Sequence, residues 1–252
     1  MRAGPVLIGT AGWSIPTALA GRFGGDGAHL HRYGRVLRVA EINSSFHRPH
    51  RAGTYRRWAD SVPEDFRFSV KLPKTISHKQ RLIDVEGLLD TFLAEASALG
   101  EKLAVWLLQL PPSFAFDGAT ARAFFTLLRQ RSPATIACEP RHPSWFDLEP
   151  DALLDSLGVA RVAADPALVP GAERPGGWRG LHYHRLHGSP RIYHSSYNEA
   201  WLRDRATGLA AAAATGTPIW CIFDNTASGA AAADALTLRA MLDTGDEPQA
   251  TL

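Results

Sequence analysis

Eight short apolar or β-branched runs, spaced by gaps long enough to hold helices, constrain this chain more than any other feature. They are 6–10 (VLIGT), 36–42 (VLRVAEI), 66–71 (FRFSVK), 103–110 (LAVWLLQL), 135–139 (TIACE), 159–164 (GVARVAA), 181–187 (LHYHRLH) and 218–223 (PIWCIF). Helical patterns fill most gaps, at 51–60, 85–99, 119–130, 150–157, 197–214 and 229–242, with a weaker one at 28–33. Strand and helix in alternation require crossover connections and hence a parallel sheet, and eight repeats within 252 residues predict an α/β fold of the (β/α)₈ TIM-barrel type. No GxGxxG or GxxxxGK[ST] is present to favour an open nucleotide-binding sheet. The Pro/Gly-rich stretch 166–180 stands where a sixth helix is expected and reads as an irregular loop. No domain boundary is visible, so 1–252 reads as one domain with a polar tail at 243–252.

The composition is that of a globular protein: hydrophobic residues make up 45% and the formal net charge is only +2. That balance does not announce a nucleic-acid or membrane-surface protein. Cys138 and Cys221 lie in apolar runs without zinc-type spacing, so a disulfide framework is not expected and a reducing, cytoplasmic setting is. The apolar run near Leu209 is interrupted by Gly216 and Pro218, and neither a signal peptide nor a membrane span is expected.

Barrel enzymes build their sites from inward residues at the C-terminal strand ends and from the loops that follow. Alternate residues of a strand share a face, so parity selects candidates. It groups Val39, Glu41 and Asn43; Arg67, Ser69 and Lys71; Val105, Leu107 and Gln109; Thr135, Ala137, Glu139 and Arg141; and Leu181, Tyr183, Arg185 and His187. Five strands thus bring Glu41, Asn43, Lys71, Gln109, Glu139, Arg141, Arg185 and His187 to one mouth. Polar strand ends also occur wherever strands meet water, but five in agreement favour a site. Carboxylates and cations buried together must pair, and such pairs displace pKa values. Lys71 can then be a general acid, a Schiff-base amine or a salt-bridge partner, and the glutamates either acid/base groups or orienting groups. His182 and His184 fall on the opposite parity, outside under the helices.

The loops 44–51 and 72–81 carry Arg48, Arg51, Lys74, Lys79 and Arg81 with no acid, which makes the predicted mouth basic and suited to an anionic ligand. Trp13, Phe46, Trp145, Tyr193 and Tyr197 lie in or near the same loops, as packing residues or as stacking platforms. After the eighth run Ser228 is the expected N-cap of the last helix, whose N-terminus could receive a phosphate. Glu41, Glu139, Asp165, His187 and Asp224 are conceivable metal ligands, but Lys71, Arg141 and Arg185 already neutralise the carboxylates; no cofactor is required, and a divalent metal is left open. No GxSxG or Cys/His pair supports covalent Ser or Cys catalysis.

The segments GTAGW (9–13), EINSSF (41–46), FRFSVKLPKTISH (66–78), QLPPSF (109–114), EPRHPSW (139–145), RLHG (185–188) and FDN (223–225) resemble, in order, the YecE-like family known as domain of unknown function 72. The resemblance implies a TIM barrel and a candidate site but no reaction. It carries over Glu41, Asn43, Lys71, His78, Gln109, Glu139, Arg141, His142, Trp145, Arg185, His187 and Asn225. Two departures are Pro140, where the family has an aromatic, and FDNTASG in place of FNND with a following Gly, which puts the role of Asp224 in doubt. The resulting expectation is an enzyme for a small anionic or phosphorylated ligand, acting by phosphoester hydrolysis or sugar-phosphate acid/base chemistry. Glu41, Lys71, Glu139 and His187 are its candidate catalytic residues, and Asn43, His78, Gln109, Arg141, His142, Trp145, Arg185 and Asn225 its candidate binding residues. The alternative is a non-catalytic nucleic-acid or nucleotide-binding barrel. No membrane partner is expected.

Overall fold

The computed structural model describes residues 3–244. All eight expected runs are strands: β1 (Val6–Ala11), β2 (Val39–Ile42), β3 (Arg67–Lys71), β4 (Leu103–Gln109) and β5 (Thr135–Glu139) come first. The sixth run is broken into β6 (Val159–Arg161) and β7 (Ala163–Asp165). A two-residue β8 (Gly176–Gly177), β9 (His182–Leu186) and β10 (Ile219–Phe223) follow. The break has a topological use. β6 pairs in parallel with β5, whereas β7 pairs in parallel with β9, so the two halves of one run span the gap between the ends of the sheet. The order β9–β10–β1–β2–β3–β4–β5–β6 supplies the rest of a barrel-shaped parallel sheet.

Helices α1 (His29–Val36), α2 (Ala52–Asp60), α3 (Glu86–Ala96), α4 (Gly118–Arg131), α5 (Leu148–Ser156), α6 (Glu199–Ala213) and α7 (Ala230–Asp243) surround it. Side-chain caps set the starts of two of them: the Asp117 carboxylate accepts from the Thr120 N–H at 2.7 Å to cap α4, and Asn198 accepts from the Trp201 N–H at 2.8 Å to cap α6. The stretch 166–180 contains no helix, as expected; β8 within it pairs antiparallel with β6. Position 243 belongs to α7, and the rest of the expected tail lies outside the described residues beyond 244. Ser228 does not cap α7. Gly229, in the left-handed region at φ 76°, holds that position, and the Ser228 hydroxyl pairs instead with His194 Nδ1 at 3.0 Å.

Two apolar layers follow the strand parity. Val39, Val105, Leu107, Ala137, Val162, Tyr183, Trp220 and Ile222 fill the barrel interior, while Phe68, Trp106, Phe124, Phe125, Ile136 and Phe223 belong to the larger layer between strands and helices. Gly9 permits the close approach of β1 to β2, because a Cβ there would collide with the Val39 carbonyl. His184 is buried on the outer face as parity predicts, and burial pushes its imidazole down to about 3, so it is neutral.

Candidate functional site

The inward parity places one arginine at the centre of the strand ends. Arg185, on β9, has no exposed surface and is met by three carboxylates from three other strands or their ends. It donates from Nε to Glu41 Oε2 at 3.0 Å and from Nη2 to Glu41 Oε1 at 2.7 Å. Nη2 also donates to Asp224 Oδ2 at 2.8 Å, and Nη1 donates to Glu139 Oε2. Ionised groups this deep are tolerated only when paired and hydrogen-bonded, and here one cation satisfies three anions. The Tyr183 hydroxyl, two residues before Arg185 on the same face, donates to Glu41 Oε2 at 3.0 Å and lies 2.7 Å from the Ser69 hydroxyl. Glu41 is therefore saturated and fully enclosed. Its placement is that of an orienting group, as is that of Arg185, whose guanidinium is spent on protein carboxylates.

Two further groups complete the cluster. Arg141 Nε donates to Glu139 Oε1 at 2.8 Å. Burial would raise the Glu139 carboxyl, but Arg185, Arg141 and His187 outweigh it and hold it well below the usual carboxylate range. Asp224 is likewise held low against its burial, by Arg185 and by the hydrogen bond from His187. His187 Nδ1 lies 3.1 Å from Asp224 Oδ2, and its Nε2 lies 3.5 Å from Glu139 Oε1 without a hydrogen-bond partner. Burial disfavours the imidazolium, yet the Glu139 charge and the Asp224 hydrogen bond raise His187 above the ordinary histidine value.

Beside this saturated cluster lies a cleft of about 520 Å³ whose lining includes Asn43, Phe46, Lys71, Lys74, His78 and Gln109. Asp224 is the one acid on its wall, and that carboxylate is already held by Arg185, His187 and the Asn43 amide, which donates to Oδ1 at 3.3 Å. Lys71 is 5% exposed, and its Nζ sits 4.2 Å from the centre of the Phe46 ring. It has no carboxylate at ion-pair distance among the described residues, because Glu41, Glu139 and Asp224 face Arg185. Burial, reinforced by the Arg185 charge, outweighs the nearby carboxylates and lowers Lys71 to about 8. His78 packs edge-on against the same Phe46 ring, 5.0 Å between centroids, and burial followed by the charges of Lys71, Arg141 and Lys74 holds it below the ordinary histidine value. Gln109 is 7% exposed and its amide has no hydrogen-bond partner among the described residues.

Tyr193 forms the boundary between cluster and cleft. It lines the cleft, packs edge-on against His187 with centroids 5.6 Å apart, and its hydroxyl lies 3.4 Å from Arg141 Nη2. Its backbone is in the left-handed region at φ 69°, a conformation that costs a non-glycine residue roughly 1–2 kcal/mol. Gly188, at φ 90°, lets the preceding loop turn tightly, since a Cβ there would crowd the Ser195 carbonyl and the Asn225 side chain.

Three expected binding residues are placed elsewhere. Trp145 is fully buried, with its indole N–H donating to the Phe114 carbonyl at 2.9 Å and its ring against Phe116, so it packs the core. His142 Nδ1 accepts from the Ser144 N–H at 3.2 Å and closes the turn that carries Trp145 inward. Asn225 is buried, donating to Asp234 Oδ2 at 2.7 Å and to the Ser195 carbonyl at 2.9 Å; it ties down the loop before α7. The buried Asp234 near the start of α7 also makes that helix end a poor place for an anion. Arg81 lies over the Phe114 ring, while Arg48 and Lys79 are exposed. Among the described residues, no three His, Cys, Asp or Glu side chains are grouped to hold a metal ion. Tyr183, Ser69 and Asp224, which parity or position brought to the same mouth, are the supporting residues that motif reasoning did not select.

A family model described as "Protein of unknown function DUF72" matches residues 7–251. The Escherichia coli K12 UPF0759 protein YecE is 30% identical over 141 residues, 56% of this chain and 50% of that protein. The Bacillus subtilis UPF0759 protein YunF is 25% identical over 147 residues, 56% of this chain and 52% of that protein. The matched stretches thus span about half the length of these curated relatives. Among solved structures, a DUF72 family protein of Enterococcus faecalis V583 superposes with a TM-score of 0.80 at 20% identity, covering 95% of this chain and 96% of that one. Another, from Thermotoga maritima, gives 0.76 at 24% identity over 94% and 99%. Both likenesses concern the fold. Among the described residues no helix is long and apolar enough to cross a membrane.

Proposed function

Since the chain belongs to the DUF72 family, described as of unknown function, we propose from its own residues that it is an enzyme binding a small anionic, phosphate-bearing substrate in the Lys71 cleft and acting on it by proton transfer. The observation that carries this reading is the buried, unpaired ammonium of Lys71. A cation that no carboxylate among the described residues meets is ready for an external anion, and Gln109 offers an amide unpartnered among those residues in the same cleft. Lys74 adds charge at the rim.

Proton transfer is favoured because histidines displaced in opposite directions, His187 upward and His78 downward, stand on either side of Tyr193. His187, raised and aligned by Asp224, is the proton donor, and His78, held below the ordinary histidine value, is the proton acceptor. Glu139 and Asp224 stay ionised and keep the imidazolium charged. Tyr193 screens His187 from water, and the substrate displaces its ring to reach Nε2.

Thermal shift against inorganic phosphate, phosphorylated sugars, nucleotides, short single-stranded DNA and divalent metals tests this reading. A small phosphorylated ligand at a hundredfold excess over its Kd is expected to raise the Tm by roughly 5–10 °C. Lys71→Met should abolish that shift. Stabilisation by oligonucleotides alone, steeply salt-dependent, would replace the enzyme with a nucleic-acid-binding barrel. No stabilisation by any anion would end both.

A further inference from the structure

Resting on that reading of the cleft, we propose that Lys71 forms a covalent imine with its substrate, which makes the substrate an anion that also carries a ketone or aldehyde. Four placements support this. The Nζ is buried at a strand end, where the backbone of β3 is fixed by pairing on both sides with β2 and β4. It lines the cleft from the face of Phe46, so a carbonyl carbon entering the cleft meets it there. The three nearby carboxylates are all held by Arg185, so no ion pair competes for the nitrogen. Lys74, at the rim of the same cleft, shares the anionic group with the Lys71 nitrogen, which keeps its positive charge as a protonated imine.

The charge state suits the chemistry. An amine must shed its proton to add to a carbonyl, and a lysine near 8 exposes about a tenth of its population as free amine at pH 7, far more than an ordinary lysine. In the addition, the Nζ lone pair forms a bond to the carbonyl carbon as the C=O π pair moves to oxygen, which takes up from solvent the proton that the ammonium released in becoming the amine. Nitrogen then loses a proton to His78, which packs on the same Phe46 ring. The carbinolamine hydroxyl takes that proton back from His78 and leaves as water, and the nitrogen lone pair forms the C=N bond of a protonated imine. No oxidant or reductant is consumed. The Gln109 amide, which lines the same cleft, is the donor this proposal assigns to the carbonyl oxygen.

Trapping with a reductant tests the step, and the composition makes the result easy to read, because the chain contains only four lysines: Lys71, Lys74, Lys79 and Lys102. The 252-residue chain is incubated at neutral pH with dihydroxyacetone phosphate or pyruvate and sodium cyanoborohydride, then digested and mapped by mass spectrometry. The expected result is a reduced adduct enriched about tenfold or more on Lys71 over the exposed Lys79, following its larger amine fraction. Lys79→Met, at an exposed lysine outside the cleft lining, should retain the adduct on Lys71, and Lys71→Met, with an unchanged circular dichroism spectrum, should lose it. Adduct spread evenly over the four lysines, or none, overturns the imine. Glycerol 3-phosphate, an anion without a carbonyl, separates the two ideas. If it stabilises the protein while no adduct forms, only the imine falls; if no phosphate or carboxylate stabilises it, the anion site falls as well.

Discussion

Arg185 and Lys71 are two buried cations at one barrel mouth, and they have opposite circumstances. Arg185 meets Glu41, Glu139 and Asp224 and has none of its surface exposed; Lys71, nearly as buried, rests on an aromatic ring and faces open space. Guanidinium geometry explains the division. Its planar fork can serve several carboxylates at once, whereas an ammonium is a compact point charge whose pKa yields readily to burial. The lesson is that burial alone does not mark a functional cation. A saturated one holds the fold together, and an unsaturated one is available to a ligand.

The largest test of the contrast is Arg185→Met, which strands three carboxylates in one dry space. Loss of about 3–5 kcal/mol of stability is expected in denaturant titration. A loss below about 1 kcal/mol would mean that the three acids do not depend on this guanidinium. Lys71→Met should do the reverse, gaining about 1–3 kcal/mol at pH 7 by removing a desolvated charge without a partner. The sign has a pH signature. Between pH 8 and 10 the native Lys71 has released its proton while an unfolded lysine still holds one, so wild-type stability rises with pH relative to Lys71→Met. An unchanged difference across that window would place Lys71 in water.

A smaller effect concerns His187. Its imidazole resonances should titrate above the ordinary histidine value, and Asp224→Asn should lower that midpoint. Because the folded value is raised, the stability this histidine contributes is complete below about pH 6.5 and disappears as pH rises through the folded midpoint. A midpoint unaffected by Asp224→Asn would detach the dyad. Least of all, Gln109→Leu should change stability by no more than about 0.5 kcal/mol, since its amide satisfies nothing in the free protein. The phosphate-induced Tm shift should nonetheless fall, and an unaltered shift would remove Gln109 from the site.

Much of this arrangement was legible from the chain. Run spacing predicted the barrel strands, and parity alone brought Glu41, Lys71, Gln109, Glu139, Arg185 and His187 to one end, because a strand's two-residue period fixes which side each residue faces. Parity also assigned His182 and His184 to the outside. The loops resisted such reading. HPSW lies within a family-like segment, yet Pro143–Trp145 forms a single tight turn that swings Trp145 into the core, and no periodicity reports a turn's direction. Ser228 had the chemistry of a cap, but His194 from another loop claimed its hydroxyl.

The sequence by itself therefore determined the strands, their inward residues and a mouth crowded with charge. Only the tertiary structure decided which charges meet. Glu41 and Arg185 are 144 positions apart, and whether Arg185 or Lys71 captures the carboxylates depends on the stagger of strands around the barrel and on side-chain reach. That choice separated the cation that supports the fold from the one left facing the cleft.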